Sequence, residues 1–391
     1  MTLYAEFHLI QNFAPSNLNR DDTGAPKDAI FGGYRRARVS SQCFKRSIRL
    51  HAGSGSALAD SALGVRTKKL RQLLAAALNE KGLHDADSRI AAALDSVGLA
   101  LDEKGATQYL LFLGRQEVQA MANLIATHWD ALVPPAADAA KKTKKQARAD
   151  APDGVKRAMK RLLDGGKSVD VALFGRMLAD LPEANQYAAC QVAHAISTHK
   201  VDREFDYFTA VDDEGGADET DVRMIGTIEF NAATFYRYAV VSVDKLEDNL
   251  QGDTALALQG VVAFAEGMAR ALPTGKQNSF AAHNPPSFVG VVLRHGAPVN
   301  LCNAFERPVS PRPDKAITAQ SVAALADHEQ RMARFYGDNR DRWAFLDDTG
   351  AWPTNLGDAQ SSLPALLAWL QGAVQAARAD TPGNAPEAKT A

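Results

Sequence analysis

Asn19-Arg20-Asp21-Asp22 is followed by Lys27-Asp28-Ala29-Ile30-Phe31-Gly32-Gly33-Tyr34-Arg35-Arg36-Ala37-Arg38-Val39-Ser40-Ser41-Gln42-Cys43-Phe44-Lys45-Arg46-Ser47-Ile48-Arg49. Between Lys27 and Arg49 stand seven Lys or Arg and one acid, a local charge of +6 in a chain of formal net charge −2, so the remainder carries −8. A local charge of that size, beside two glycines and a helix start, reads as a surface for a polyanion such as a phosphate backbone. Ser40 or Ser41 suits the N-cap of a helix running to about His51. At ~100° per residue, Gln42, Lys45, Arg46 and Arg49 fall within one arc, with Cys43, Phe44, Ser47 and Ile48 opposite. A solvated basic face on an ordinary surface helix is the bland alternative. Against it, the face lacks the carboxylates at i±4 that lace a merely soluble helix. The preceding Gly32-Gly33 also lets a backbone approach a ligand closely.

Working outward, Leu3, Ala5, Phe7 and Leu9 alternate with Tyr4, Glu6 and His8, the pattern of a half-buried strand. After the basic helix come about 150 residues that read as almost wholly helical, with segments near 66–80, 86–95, 115–132, 155–163, 169–180 and 184–198. Strand character returns with Met224–Phe230 and Tyr236–Val243, and the short Asn231-Ala232-Ala233-Thr234 connection suggests a hairpin. A helix over about Thr254–Leu272 and a strand near Ser287–Arg294 follow. With the helical block set aside, the order is β-α-β-β-α-β, the ferredoxin-like arrangement of RRM domains. The expected fold class is therefore α+β: an RRM-like palm over 1–55 and 223–391, a helical insertion over 56–200, and a separate excursion over 201–222. The aromatic motif with which RRM sheets bind RNA is not visible, so no base stacking is expected on the sheet face.

The 201–222 excursion holds nine acids and one base, with Phe205, Tyr207 and Phe208 at its start. It reads either as a hairpin whose tip reaches a neighbour, or as an acidic surface loop anchored by three core aromatics. From Pro134-Pro135 to Gly154 the chain is low in complexity, with Lys141, Lys142, Lys144, Lys145 and Arg148 close together: a mobile loop, whether solubilising or touching DNA. Thr274-Gly275-Lys276-Gln277-Asn278-Ser279 fails as a P-loop, because Arg270 stands where the first glycine belongs and Gln277 where Ser or Thr belongs. As a Gly-Lys turn with amide donors it still suits phosphates or sugars, and an exposed polar turn is the alternative.

The same stretches resemble a known family. Asn19–Asp22, Lys27–Gly33, the basic cluster and Ser40–Arg46 are similar to the N-terminal signature of the CasC family, backbone subunits of the type I-E CRISPR surveillance complex, Cascade. Ala172–Met177, Phe205–Asp213 and Pro273–Ser279 resemble that family too, in its order, across residues ~1–310. The C-terminal ~80 residues add little. The resemblance implies a non-catalytic subunit that lines up along a CRISPR guide RNA with other copies of itself and with CasA, CasB, CasD and CasE types of subunit. The exposed guide bases would then read target DNA by pairing. It further implies that the helical insertion serves as fingers and that 201–222 is a protruding hairpin, the thumb. Lys27, Lys45, Arg46 and Arg49 would contact phosphates, with Ser40 and Gln42 adding hydrogen bonds and Asn19 and Arg20 also binding RNA. Phe208 and Thr209 would form the thumb's wedge, Met177 would press on bases, and Tyr207, Lys276, Gln277 and Asn278 would complete the RNA contacts.

Composition excludes little. Hydrophobic content of 46% and charged content of 23% are ordinary for a globular protein. Cys43, Cys190 and Cys302 are odd in number and widely spaced, as in a reducing compartment, and no apolar run reaches a membrane span. A cytoplasmic protein with no membrane partner and no cofactor is expected. Cys190, His194 and His199 have a spacing that hints at zinc on a helix face, but no second pair completes a tetrahedral site. No catalytic elbow or metalloprotease motif appears. The sharpest enzymatic alternative comes from the related type III backbone subunits, which cleave target RNA with an aspartate in the corresponding loop; here that residue is Asp22. More simply, Asp21 or Asp22 orients Arg20 or caps the loop.

Overall fold

The computed structural model describes residues 2–54, 58–132, 152–163, 166–210, 224–337 and 341–379. The fold is α+β, in two compact units: Met1–Ser54, Gln191–Val241 and Val262–Ala391 form the first, Gly55–Cys190 and Ser242–Val261 the second. The strands, in chain order, are β1 (Leu3–Ser16), β2 (Asp28–Phe31), β3 (Tyr34–Val39), β4 (Gly64–Thr67), β5 (Leu111–Gly114), β6 (Cys190–Val192), β7 (Ala195–Ser197), β8 (Glu204–Ala210), β9 (Met224–Ser242), β10 (Phe288–His295), β11 (Arg342–Asp347) and β12 (Asp358–Ala359). Ten of them make one sheet along the path β12-β11-β10-β1-β9-β7-β3-β2, with β6 and β8 also pairing with β9.

The first unit is built around β1, which is buried on both faces rather than half-buried as its alternation suggests. On one face Phe7 meets Phe264 of the helix Thr254–Arg270, their rings 5.4 Å apart. On the other, the residues read as solvent-facing partner one another. Glu6 accepts from Arg294 Nε at 3.2 Å and from the Val299 amide at 2.7 Å, and His8 Nδ1 lies 2.9 Å from the Tyr236 hydroxyl. Beyond them the helix Ile317–Tyr336 closes this face over Ile10, Phe288, Trp343 and Trp352. Buried polar groups that satisfy each other mimic a solvent face in sequence.

Two expectations fail at β9. Met224–Phe230 and Tyr236–Val243 are not the arms of a hairpin but one continuous 19-residue strand. Asn231–Thr234 carries turn-forming residues, yet their polar groups are taken up by neighbours. Thr234 Oγ1 donates to Asn12 Oδ1 at 2.8 Å, the Thr234 amide donates to His199 Nε2 at 3.1 Å, and the Thr234 carbonyl accepts the Thr198 amide at 2.8 Å. The hairpin is instead formed by β8, which pairs with the first part of β9 from Glu204↔Phe230 to Ala210↔Met224. Likewise 184–198 is not helical: β7 is hydrogen-bonded to β3 through Ile196↔Arg38 and to β9 through Ile196↔Tyr236. Two-sided ladder pairing overrides the local helix preference of an Ala-rich run.

The second unit is mainly helical around its own core. Leu70, Leu74 and Leu78 recur at i, i+4 and i+8 on the helix Leu70–Asn79, and pack with Ile90, Leu94, Met121 and Ile125 of the helices Asp87–Ser96 and Arg115–Thr127. The expected helix over 169–180 is shorter, Val169–Phe174. Gly175 ends it at φ +73°, where a Cβ would stand 2.8 Å from the Gln186 oxygen and the Ala188 nitrogen. Among the described residues no helix is long and apolar enough to cross a membrane.

Candidate nucleic-acid interface

The basic helix spans Ser41–Ser54 and starts where its sequence says it should: the Ser40 hydroxyl accepts the Cys43 amide at 3.3 Å. Ser40 is thereby a buried cap rather than a surface donor. Phe44 and Ile48 face the core, and the Ile48 side chain abuts Gly267, where a Cβ would approach it to 2.8 Å. Beneath Phe44 lies Arg237, its guanidinium 4.0 Å from the ring centroid and hydrogen-bonded to Gln11. Burial pushes Arg237 down to about 9. On the outer face Gln42 and Arg46 are exposed and Lys45 and Arg49 half-buried.

The seven cations of 27–49 separate once folded. Arg36 is fully buried and donates to the carbonyls of Ser197 at 2.9 Å and Phe305 at 2.7 Å. Arg35 pairs with Asp28, and Arg38 Nε donates to the Asp28 carbonyl at 3.0 Å. The other Asp28 partner is Arg203, which bridges to Glu229 at 2.8 Å and ties the root of the β8–β9 hairpin to β2. Gly32-Gly33 has a structural reason of its own. With φ of +58° and +83° the pair forms the two-residue turn joining β2 to β3, and Gly32 is pressed against the Glu306 backbone.

Of the remaining cations, Arg46 lines a cleft of about 540 Å³, together with Asn19, Arg20, Asp22 and Gly275 among others. Asn19 holds the cleft to the helix, its Oδ1 accepting the Ser40 amide at 2.8 Å. Asp21 shapes the loop: its Oδ1 accepts from the Thr23 hydroxyl at 2.7 Å and from the amides of Thr23 at 2.9 Å and Ala25 at 3.1 Å. The Thr23 hydroxyl and these amides hold the Asp21 carboxyl below its usual range. Gly275 enters because a Cβ there would lie 2.3 Å from the Leu18 oxygen, so only glycine allows the 274–278 turn this close. Asn278 is exposed and Lys276 half-buried in a left-handed conformation, φ +52°. Gln277 is occupied internally, donating to the Pro273 carbonyl at 2.9 Å. Lys27 does not line the cleft; it is half-buried, and its amide donates to the Asn19 carbonyl at 2.9 Å.

His194, a residue that sequence reading offered only as a doubtful zinc ligand, stands at the start of the basic helix. Its Nδ1 lies 3.3 Å from the Ser41 amide and 3.3 Å from an Arg38 guanidinium nitrogen, so Nδ1 is the acceptor. Burial, then the charges of Arg38 and Lys27, hold it below the usual imidazole range. Among the described residues no group of three or more His, Cys, Asp or Glu is placed to hold a metal ion.

On the hairpin, Phe205, Tyr207 and Phe208 are exposed, which removes the reading of an acidic loop anchored by core aromatics. The Phe208 ring lies over Gly226, its partner across the ladder. Thr209 lies in β8. In the second unit Met177 is 79% exposed, next to Arg176, whose guanidinium donates to Glu117 at 2.8 and 2.9 Å, to the Ala184 carbonyl at 3.0 Å and to the Leu163 carbonyl at 2.8 Å. The basic residues Lys141, Lys142, Lys144, Lys145 and Arg148, and the segment 211–223, lie outside the described residues.

No curated protein matches the chain. Among solved structures, it is 31% identical to a chain described as "CRISPR RNA-guided surveillance complex, pre-nicking", with a TM-score of 0.80 over 95% of this chain and 99% of that one. A second, described as "CRISPR RNA-guided surveillance complex", is 27% identical with a TM-score of 0.69 over the same shares. The family model for CT1975-like proteins matches residues 5–369, well into the C-terminal part that sequence motifs left unassigned. The chain belongs to the family of CT1975-like proteins.

Proposed function

We propose that this chain is a non-catalytic backbone subunit of a Cascade-type CRISPR surveillance complex, of type I-E and CasC character, several copies of which bind one guide RNA. The observation that carries the reading is the cleft. Asn19 and Arg20, Arg46 and the Gly275 turn, from three separate parts of the sequence, meet at one cleft, and Lys45 precedes Arg46 on the same helix. Among the described residues Arg20, Lys45 and Arg46 have no ion-pair partner. Cations left unpaired at a cleft of this size suit a phosphate backbone. The likeness to chains of guided surveillance complexes supports the choice of RNA.

The sheet supports an RRM-like palm. Its central path β10-β1-β9-β7 has the order 4-1-3-2 of a β-α-β-β-α-β unit, with β7 as second strand and the helices Ser41–Ser54 and Thr254–Arg270 as crossovers. The second unit then serves as fingers presenting Met177, and the β8–β9 hairpin as a thumb presenting Tyr207, Phe208 and Thr209. Target DNA is read by the guide between thumbs, and the other partners are further copies and the remaining Cascade subunits.

Replacing Arg20, Lys45 and Arg46 together by Ala tests the site. Single-stranded RNA binding is expected to weaken, and its log–log salt dependence to flatten by about 2, at ~0.7 per phosphate contact. An unchanged slope moves the RNA elsewhere.

A further inference from the structure

We propose that Tyr187 is a stacking face for one unstacked base of the guide RNA, with Met177 as the opposite wall of the slot; this rests on the backbone-subunit reading and adds a residue to it. Tyr187 is 83% exposed and Met177 79%. Their loop is fixed from within, so both side chains are held out rather than loose. Arg176 and Gln186 exchange both backbone hydrogen bonds, each 3.0 Å long. Gln186 Nε2 donates to the Asn249 carbonyl at 3.1 Å. Asn249 Nδ2 in turn donates to the Tyr187 carbonyl at 2.8 Å and to the Ala172 carbonyl at 2.9 Å. Arg176 is buried and Gln186 half-buried, and the residues that follow them, Met177 and Tyr187, turn to the outer face.

The spacing selects the ligand. One step beyond the Arg176↔Gln186 pair, Met177 stands opposite Asn185, and Tyr187 is its diagonal neighbour at about 7–8 Å. A flat ring between two side chains needs two carbon–carbon contacts of about 3.5–4.0 Å, which together make the same span. A thioether and a phenol ring are both good surfaces for such a plane. Asn185 Oδ1 accepts the Leu178 amide at 2.6 Å, so among the described residues its side-chain nitrogen is the group left to donate to a base edge. A phosphate fits less well. Arg176 is spent on Glu117, and Lys160, the cation that reaches this loop, is paired with Glu183. A protein partner fits less well too, because two apolar side chains fall far short of the ~800 Å² that each partner buries in a standard interface. Single-stranded RNA is held in this way elsewhere, by unstacked bases laid on aromatic side chains.

The test compares two strands of one-copy length, oligoadenylate and an abasic ribose-phosphate strand, on wild type, Tyr187→Ala and Tyr187→Phe. The Tyr187 carbonyl, not its ring, holds the loop, so both variants are expected to melt as wild type does. Tyr187→Ala is expected to weaken oligoadenylate binding about fivefold or more. Its log–log salt slope is expected to stay unchanged, since no phosphate contact is lost. On the abasic strand Tyr187→Ala is expected to match wild type, and Tyr187→Phe to match it on both strands, because stacking needs the ring and not the hydroxyl. Equal oligoadenylate affinities for wild type and Tyr187→Ala would overturn the slot. So would an equal loss on both strands, or a loss in Tyr187→Phe as large as in Tyr187→Ala. These outcomes leave the proposed function standing, since wild type still binds RNA in each; wild type that binds neither strand would remove that function and the slot with it.

Discussion

Glu117 and Arg176 have side chains each 1% exposed and face each other inside the second unit. A buried ion pair adds little net stability, because desolvation cancels most of the attraction, but losing one partner strands the other charge. Glu117 also accepts the Gly114 amide at 2.6 Å at the start of its own helix. Glu117→Gln is therefore expected to destabilise the second unit by roughly 3–5 kcal/mol. Denaturant unfolding with a probe in that unit reads this directly; a change under about 1 kcal/mol would mean that water reaches the pair. The residue scale also shows what sequence left hidden. Arg35, Arg36, Arg38, Lys45 and Arg46 look alike in a charge count, yet Arg36 is a buried structural tie and Arg46 an unpaired wall of the cleft. Charge summed over a segment does not say which side of the backbone each cation occupies. Arg237 beneath Phe44 left no trace, since one Arg in an apolar strand carries no periodic signal.

At the scale of elements, the hairpin is attached through a root that can be kept while the rest is removed. Arg203 pairs with Asp28 and Glu229, and the Asn17 side-chain amide donates to the Glu229 carbonyl at 2.9 Å. Phe205 and Glu229 face each other across the ladder, so a two-residue Asn-Gly turn joins them without changing register. Replacing 206–228 in this way is expected to leave the melting temperature within a few degrees of wild type while abolishing evenly spaced arrays on guide RNA. Electron microscopy decides it: regular arrays from the shortened chain would remove the hairpin from assembly. Elements with strong local signals were legible: the basic helix and its Ser40 cap, the helix Thr254–Arg270 and the strand β10. The long strand β9 and the short strands β6 and β7 were not. Their states are set by partners far away in sequence, which supply the hydrogen bonds that Asn231–Thr234 would otherwise have made in a turn.

For the molecule as a whole, the proposed function turns on a choice between holding RNA and cutting it. Asp22 lines the cleft beside Arg20 and Arg46. Its neighbour Asp21 commits Oδ1 to Thr23 and Ala25, so only its Oδ2 could turn to an ion. Metal-assisted phosphodiester cleavage draws on several oxygen ligands around the ion. With Mg²⁺, RNA bound by wild type and by Asp22→Ala is expected to stay intact for equal times on a sequencing gel. Cuts at regular spacing by wild type, lost in Asp22→Ala, would transfer the protein to the type III mode.

β9 also has a mechanical side. Its 19 residues span about 60 Å, running unbroken from the hairpin to the interior of the sheet. A push on the far end is carried by a covalent rod clamped by ladders on its flanks, which must slide in shear rather than peel open one bond at a time. The strand is thus a stiff lever arm, and in the array proposed above the pitch between copies would be set where the rod is clamped in the sheet rather than at its far end.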